Sequence, residues 1–175
     1  DNSGEIDASM LQFKAHLIKM RDQTKPKALP QQFNQAAVYV GSFDPITLGH
    51  IDVVKSAIKM PYPKLYIAVG INPDKKPMFT VTERIAMIER EIDRDVRPHL
   101  PPGQEIIVTS YEGLTVDFMR KVGSSFCVRG LRGIKDLEEE ADLAKANRAL
   151  YADSLRETGT ESFSQAFFAT SQPEL

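Results

Sequence analysis

From Ala36 onward, short apolar runs alternate with longer stretches in which apolar residues recur every three or four positions. The first run, Ala-Ala-Val-Tyr-Val-Gly over 36–41, predicts a strand, and the spacing after it predicts a helix over 49–60. Lys-Leu-Tyr-Ile-Ala-Val-Gly predicts a strand over 64–70, followed by a helix near 81–93 that Thr80 opens. Glu-Ile-Ile-Val-Thr-Ser predicts a strand near 105–110, with a helix near 114–122 behind it. A strand over 125–129 then leads to a long polar helix near 136–151, and Gln-Ala-Phe-Phe-Ala, 165–169, predicts a last short strand. The long helix is expected to bury Leu137, Ala141, Ala144 and Leu150 and to leave most of its charge in water.

Strands separated by helices imply β-α-β crossovers, which join parallel neighbours. The expected fold class is α/β, a doubly wound, Rossmann-like parallel sheet of about five strands with ligands at the strands' carboxyl ends. The first 35 residues follow a different pattern. Met10, Phe13, Leu17 and Met20 mark a short amphipathic helix, which Asp7 or Ser9 could cap. Lys-Pro-Lys-Ala-Leu-Pro, 25–30, ends it as a linker. The organisation read from sequence is therefore an extra N-terminal helix with its linker over 1–35, packed on the domain or on a neighbour or else serving as a partner-binding arm, and one domain over 36–175.

Composition narrows the function classes. With 42% hydrophobic and 26% charged residues, the 175-residue chain has a soluble globular profile and enough length for one substantial core. A formal net charge of −2 gives no global electrostatic case for nucleic acid or an anionic membrane, so an anion site must be built locally. No run approaches the roughly 18 apolar residues of a membrane span, and no secretory leader pattern opens the sequence. A cytoplasmic or organelle-matrix location is the expectation. The single cysteine, Cys127, excludes an internal disulfide framework. Its apolar setting, Ser-Phe-Cys-Val, reads as a buried small hydrophobe rather than a nucleophile.

The turn after the first strand is where a nucleotide phosphate meets a helix N-terminus in such a sheet. Neither GxGxxG nor GxxxxGK[ST] occurs there; the sequence is Gly41-Ser42-Phe43-Asp44-Pro45-Ile46-Thr47-Leu48-Gly49-His50. Gly49 allows close approach to the backbone, His50 in the first helical turn can donate to a phosphate oxygen, and Ser42 and Thr47 add hydroxyls. Phosphoryl and nucleotidyl transfer needs little else than positioning and donors aimed at developing charge. Taken alone, these residues read as no more than a chain turn at Gly41 and a helix cap at His50. Downstream, Arg129-Gly130-Leu131-Arg132-Gly133 puts two guanidinium forks on one loop, where they could address one polyanion, with Gly130 allowing close approach; a surface turn is the alternative. Asp44 is the nearest acidic candidate for a metal, or else a cap of the turn before Pro45.

The run GSFDPITLGH resembles the (T/H)xGH signature of the nucleotidyltransferase superfamily. Together with Asn72-Pro73-Asp74-Lys75-Lys76-Pro77-Met78-Phe79, RGLRG, Asp136…Glu140 and Asn147-Arg148, it resembles the bacterial-type phosphopantetheine adenylyltransferases over roughly 36–150. The resemblance implies transfer of AMP from ATP to 4′-phosphopantetheine by direct in-line attack, giving dephospho-coenzyme A and pyrophosphate, with Mg²⁺. It implies His50 as the catalytic residue at the α-phosphate. It further implies Ser42, Lys75, Thr115 and Arg129 as substrate contacts. Ser42, Phe43, His50, Gly130, Leu131, Arg132 and Glu140 are implied as ATP contacts. Asn147 and Arg148 join this set less directly. No metal ligand is assigned, since Mg²⁺ keeps waters and takes substrate phosphates. A hexamer, and coenzyme A as a feedback ligand, are implied on the same ground.

Two departures stand beside this. The family follows its last strand with a serine-rich ATP-binding helix start, which a sequence ending FFATSQPEL does not contain, so activity without it is an open expectation. The polar stretch YADSLRETGTESFSQ, 151–165, is longer than the usual link. Alternatives are a sibling nicotinamide-mononucleotide adenylyl- or cytidylyltransferase, and a non-catalytic nucleotide- or coenzyme A-binding module.

Overall fold

The computed structural model describes residues 36–131, 134–155 and 164–169. The expected N-terminal helix and linker and Arg132 lie outside the described residues, as does most of the 151–165 stretch. In chain order the elements are β1 (Ala37–Gly41), α1 (Leu48–Ala57), β2 (Lys64–Ile71), α2 (Val81–Asp95), a 3₁₀ turn (Arg97–His99) and β3 (Glu105–Glu112). Then come α3 (Thr115–Lys121), β4 (Phe126–Leu131), α4 (Ile134–Leu155) and β5 (Ser164–Ala169). Every strand and helix expected from the pattern after Ala36 is present.

The five strands form one sheet in the order β3-β2-β1-β4-β5, all parallel. The chain runs outward from β1 through β2 to β3, then returns to lay β4 against the other side of β1. Between β1 and β4 the winding reverses, and in sheets of this kind loops part there and leave a crevice. Because all strands are parallel, the segments after Gly41, Ile71 and Glu112 all open on one edge, where β4 also ends.

Both faces of the sheet are covered, which explains why its strands read as near-continuous apolar runs. Alternate residues serve opposite faces. Ala37, Tyr39, Leu65, Ile67, Val69 and Val128 pack with Ile51, Val53, Val54 and Ala57 of α1 and Ile88 and Ile92 of α2. Val38, Val40, Ala68 and Cys127 pack on the other face with Val116, Phe118 and Met119 of α3. Full burial of side chains such as Ile67, Ile88 and Ile92 contributes about 1.5–3 kcal/mol each before entropy is counted.

Helix α4 departs from expectation in one respect. Among its described side chains, which do not include Leu137, the half-buried positions are Glu140, Ala141, Ala144 and Asn147, whereas Leu150 is exposed and offers its carbonyl to Arg120 at 3.1 Å. The inward stripe therefore includes a carboxylate and an amide. Among the described residues, no helix is long and apolar enough to cross a membrane.

Candidate functional site

The turn between β1 and α1 is tightly constrained. Phe43, with φ of +47°, holds the left-handed conformation that a bulky residue rarely adopts. Its buried ring lies edge-on to Tyr39, centroids 5.2 Å apart, and to His50 at 5.1 Å. Such backbone is tolerated where the surroundings enforce it, and it concentrates at functional sites. Sequence reasoning missed it because nothing at position 43 announces a positive φ. The Asp44–Pro45 bond is cis.

His50 is the third residue of α1, one turn above the cap position Thr47. Its Nδ1 accepts the Thr47 backbone N–H at 3.0 Å, and the Thr47 hydroxyl lies 2.9 Å from the same atom. An Nδ1 that accepts leaves the neutral ring's proton on Nε2, which makes the imidazole a donor through that atom. The chain thus fixes the tautomer that donation to an oxyanion requires. The helix-cap reading and the donor reading of His50 describe one arrangement.

Among the described residues, Asp44 neither caps its own turn nor joins a carboxylate cluster. Its two oxygens accept the backbone N–H groups of Met78 (2.7 Å) and Phe79 (2.9 Å), more than thirty residues along the chain. The Met78 amide foremost, then that of Phe79 and the charge of Arg84, hold the Asp44 carboxyl below its ordinary pKa. Arg84 itself, 4% exposed in the first turns of α2, donates from Nη1 to the Ser42 carbonyl at 2.8 Å. Neither contact is visible in a one-dimensional pattern, although Arg84 stands out as a charge inside an amphipathic helix.

Lys75 lies in the exposed turn after β2, where Asn72 Oδ1 accepts the Asp74 N–H at 2.9 Å and the Asn72 carbonyl accepts the Lys75 N–H at 3.2 Å. Thr115 is the first residue of α3, following Leu114 at the cap position, and its hydroxyl pairs with the Tyr111 phenol at 2.8 Å. Burial raises the pKa of that phenol above its ordinary value.

Arg129 and Glu140, assigned above to different ligands, meet in a forked ion pair. Arg129 Nε donates to Glu140 Oε2 at 2.8 Å and Nη2 to Oε1, while Nη1 donates to the Val40 carbonyl at 3.1 Å. Burial opposes the charge on Arg129, but the hydrogen bond and charge of Glu140 outweigh it and raise its pKa above the ordinary value. The fork therefore locks α4 to the end of β4 and to β1, beside the winding reversal. β4 runs through Leu131, past the expected end at 129, so Gly130 is a strand residue. A Cβ on Gly130 would stand 3.0 Å from Val53 Cγ2 and 3.4 Å from the Tyr39 hydroxyl, which assigns the glycine to close packing of β4 on α1. Cys127 is buried as expected, and burial pushes its thiol up to about 12.

The structure thus brings Ser42, Phe43 and His50 together at the end of β1, and Arg129 with Glu140 beside them. Lys75, in the turn after β2, and Thr115, at the start of α3, stand on the same edge.

Known proteins resemble this arrangement in sequence and fold. The cytidylyltransferase-like family profile matches residues 38–174. Phosphopantetheine adenylyltransferase from Ruegeria pomeroyi is 45% identical over 116 residues, covering 66% of this chain and 68% of its own length. The enzyme of that name from Heliobacterium modesticaldum is 44% identical over 117 residues, covering 67% of this chain and 64% of its own. The aligned region thus spans about two thirds of these relatives. A crystal structure of a protein of unknown function from Archaeoglobus fulgidus superposes with a TM-score of 0.57 at 15% identity, covering 81% of this chain and 96% of that one, a likeness of fold alone. The GSFDPITLGH turn, the parallel sheet that presents it and these matches lead to one conclusion: the chain belongs to the cytidylyltransferase-like family of nucleotidyltransferases and, within it, to the phosphopantetheine adenylyltransferases.

Proposed function

We propose that this chain transfers the adenylyl group of ATP to 4′-phosphopantetheine, forming dephospho-coenzyme A and pyrophosphate in coenzyme A biosynthesis. A substrate phosphate oxygen bonds to the α-phosphorus as the bond from that phosphorus to the α,β-bridging oxygen breaks, and pyrophosphate leaves. The observation that carries this reading is His50: its Nδ1 is tied to the Thr47 N–H, so its proton sits on Nε2. That proton serves an α-phosphate oxygen as charge builds there, with no covalent intermediate. Lys75 meets a phosphate as a compact charge able to follow a moving oxyanion. Ser42 and Thr115 orient the acceptor substrate, and Phe43 sets the height of the His50 ring through their edge contact.

The Arg129–Glu140 pair presents the acceptor and nucleotide sides of the site from one rigid unit, with Gly130, Leu131 and Arg132 continuing the nucleotide side. Mg²⁺ enters this reading with the nucleotide. Among the described residues, no group of three or more His, Cys, Asp or Glu is placed to hold a metal, and Asp44 already accepts two amides, so no side chain is assigned to the ion and no step is routed through it. The reading also includes a hexameric assembly, coenzyme A as a feedback ligand and a cytoplasmic setting.

The test is pyrophosphate release with Mg²⁺ from ATP and 4′-phosphopantetheine, against nicotinamide mononucleotide with ATP and glycerol phosphate with CTP. Turnover with phosphopantetheine alone is expected. The family description makes cytidylyl transfer the second reading, and turnover only with CTP would establish it. Silence with every pair, while ATP still binds, would leave a nucleotide-binding module.

A further inference from the structure

The turn that carries His50 and the loop that carries Lys75 are joined twice, by groups that no ligand needs to occupy. Residues 72–78 are exposed, and Lys75 stands within them on a short turn closed only by Asn72. At the upstream end β2 holds the loop through Ile71. At the downstream end the Asp44 carboxylate takes the amides of Met78 and Phe79, although the Met78 side chain is 75% exposed. Thr80 and Glu83 then close a reciprocal cap on α2: Glu83 Oε2 accepts the Thr80 N–H at 2.8 Å, and Thr80 Oγ1 accepts the Glu83 N–H at 3.3 Å. The backbone is thereby held from Met78 into the helix.

One turn further, Arg84 sends its guanidinium back to the Ser42 carbonyl. Burying that cation is costly, and the burial is conspicuous here. No ion pair of Arg84 occurs among the described residues, its Nε is buried without a hydrogen-bond partner, and the only hydrogen bond its side chain makes there goes to the Ser42 carbonyl. Its charge lies near enough to Asp44 to help keep that carboxyl ionised. Two crossing ties, 44 to 78–79 and 84 to 42, therefore staple the two loops together.

We infer that Asp44 and Arg84 are positioning residues that set the Lys75 loop at a fixed distance from His50, so that both address one phosphate chain. This rests on the adenylyl-transfer reading for its chemistry, and on the two ties for its geometry. Asp44 acts through the backbone it holds and neither touches the reacting atoms nor ligates a metal. A misplacement of about 1 Å in such a pair can cost on the order of 10²-fold in rate.

The experiment is a double-mutant cycle of Asp44→Asn with Lys75→Ala on the full chain, read by turnover, by unfolding midpoint and by amide exchange at Met78 and Phe79. Asparagine keeps the shape but offers one acceptor oxygen in place of two, so one amide loses its partner. Asp44→Asn is expected to lower kcat about 10- to 100-fold in a folded protein and to speed exchange of the two amides. The double variant is expected to be no slower than Lys75→Ala alone, because a group that acts by placing Lys75 has nothing left to place. Multiplying losses, as general destabilisation gives, would overturn the inference. So would equal exchange of the two amides in the unmodified chain and in Asp44→Asn, whatever the activity. If the unmodified chain releases no pyrophosphate, the adenylyl-transfer reading fails by itself. The cycle is then run on ATP affinity, where non-additive losses support the staple and additive or absent losses overturn it. Arg84→Lys keeps the charge without the planar fork and is expected to couple to Asp44→Asn in the same non-additive way; independent effects would remove Arg84 from the staple.

Discussion

Replacing Gly41 with alanine puts a methyl group against the ring on which the His50 turn is built. A Cβ there would lie 3.0, 3.1 and 3.2 Å from three carbons of the Phe43 ring, where carbon atoms ordinarily rest about 3.5–4.0 Å apart. The ring has no easy retreat. It is 1% exposed, its backbone is left-handed, and Tyr39 and His50 stand against it. Overpacking of this kind costs about 1–3 kcal/mol. Gly41 is in strand conformation without a positive φ, so alanine also restricts the unfolded chain, which stabilises by about 0.4–1 kcal/mol. The net expectation is a loss of about 0.5–2 kcal/mol, which lowers the unfolding midpoint by about 1–8 °C in a chain of this size.

Gly70 supplies the control. A Cβ at Gly70 meets the Tyr111 hydroxyl at 3.3 Å, with ring carbons at 3.5 and 3.6 Å, and that half-buried phenol can tilt away. Gly70→Ala is expected to lie within about 0.5 kcal/mol of neutral. Adding Phe43→Leu to Gly41→Ala is expected to cost less than the sum of the two single changes, since the smaller side chain releases the clash. Calorimetric unfolding of the four variants decides the matter. A Gly41→Ala midpoint at or above that of the unmodified chain would refute the packing argument, as would an equal cost at Gly70.

His50→Ala is expected to lower kcat about 10²–10³-fold, the loss typical of one oxyanion donor, with ATP affinity changing much less; near-normal turnover would remove His50 from the mechanism. Cys127, with its thiol pushed up to about 12, is expected to react with a thiol reagent at pH 8 only as fast as the fold opens, so rapid labelling of the native chain would contradict its burial. Asp44 is held below its ordinary carboxylate range, chiefly by the Met78 amide, so its contribution to stability is present above the ordinary aspartate value of 3.8 and is lost as pH falls through its lower folded value. Acid titration of the unfolding midpoint is expected to show a shallower loss over that range in Asp44→Asn than in the unmodified chain, and an equal slope would count against the two amide bonds.

The sequence by itself determined the succession of elements and the kind of sheet. Strands covered on both faces read as near-continuous apolar runs, and helices covered on one face must repeat every three to four residues. Those two periods survive in one dimension, and so β1 to β5 and α1 to α4 stand where the pattern put them. The GSFDPITLGH turn was legible too, because glycine, proline and a helix-capping residue act on their nearest neighbours. Only the tertiary structure decided what depends on contacts between distant segments. The pairing of Arg129 with Glu140 requires α4 to fold back across β4. Gly130 faces Val53 because β4 lies against α1. Leu150 falls outside the half-buried stripe of α4 because the helix turns Glu140 and Asn147 toward the domain instead. The two ties from the first turn to residues 78–84 could not be read in advance, since a carboxylate carries no local mark of the amides it will reach across the sheet edge. Periodicity records which side of an element meets the core. Partners across the fold are chosen by where the packed core leaves each polar group, and that choice is made in three dimensions.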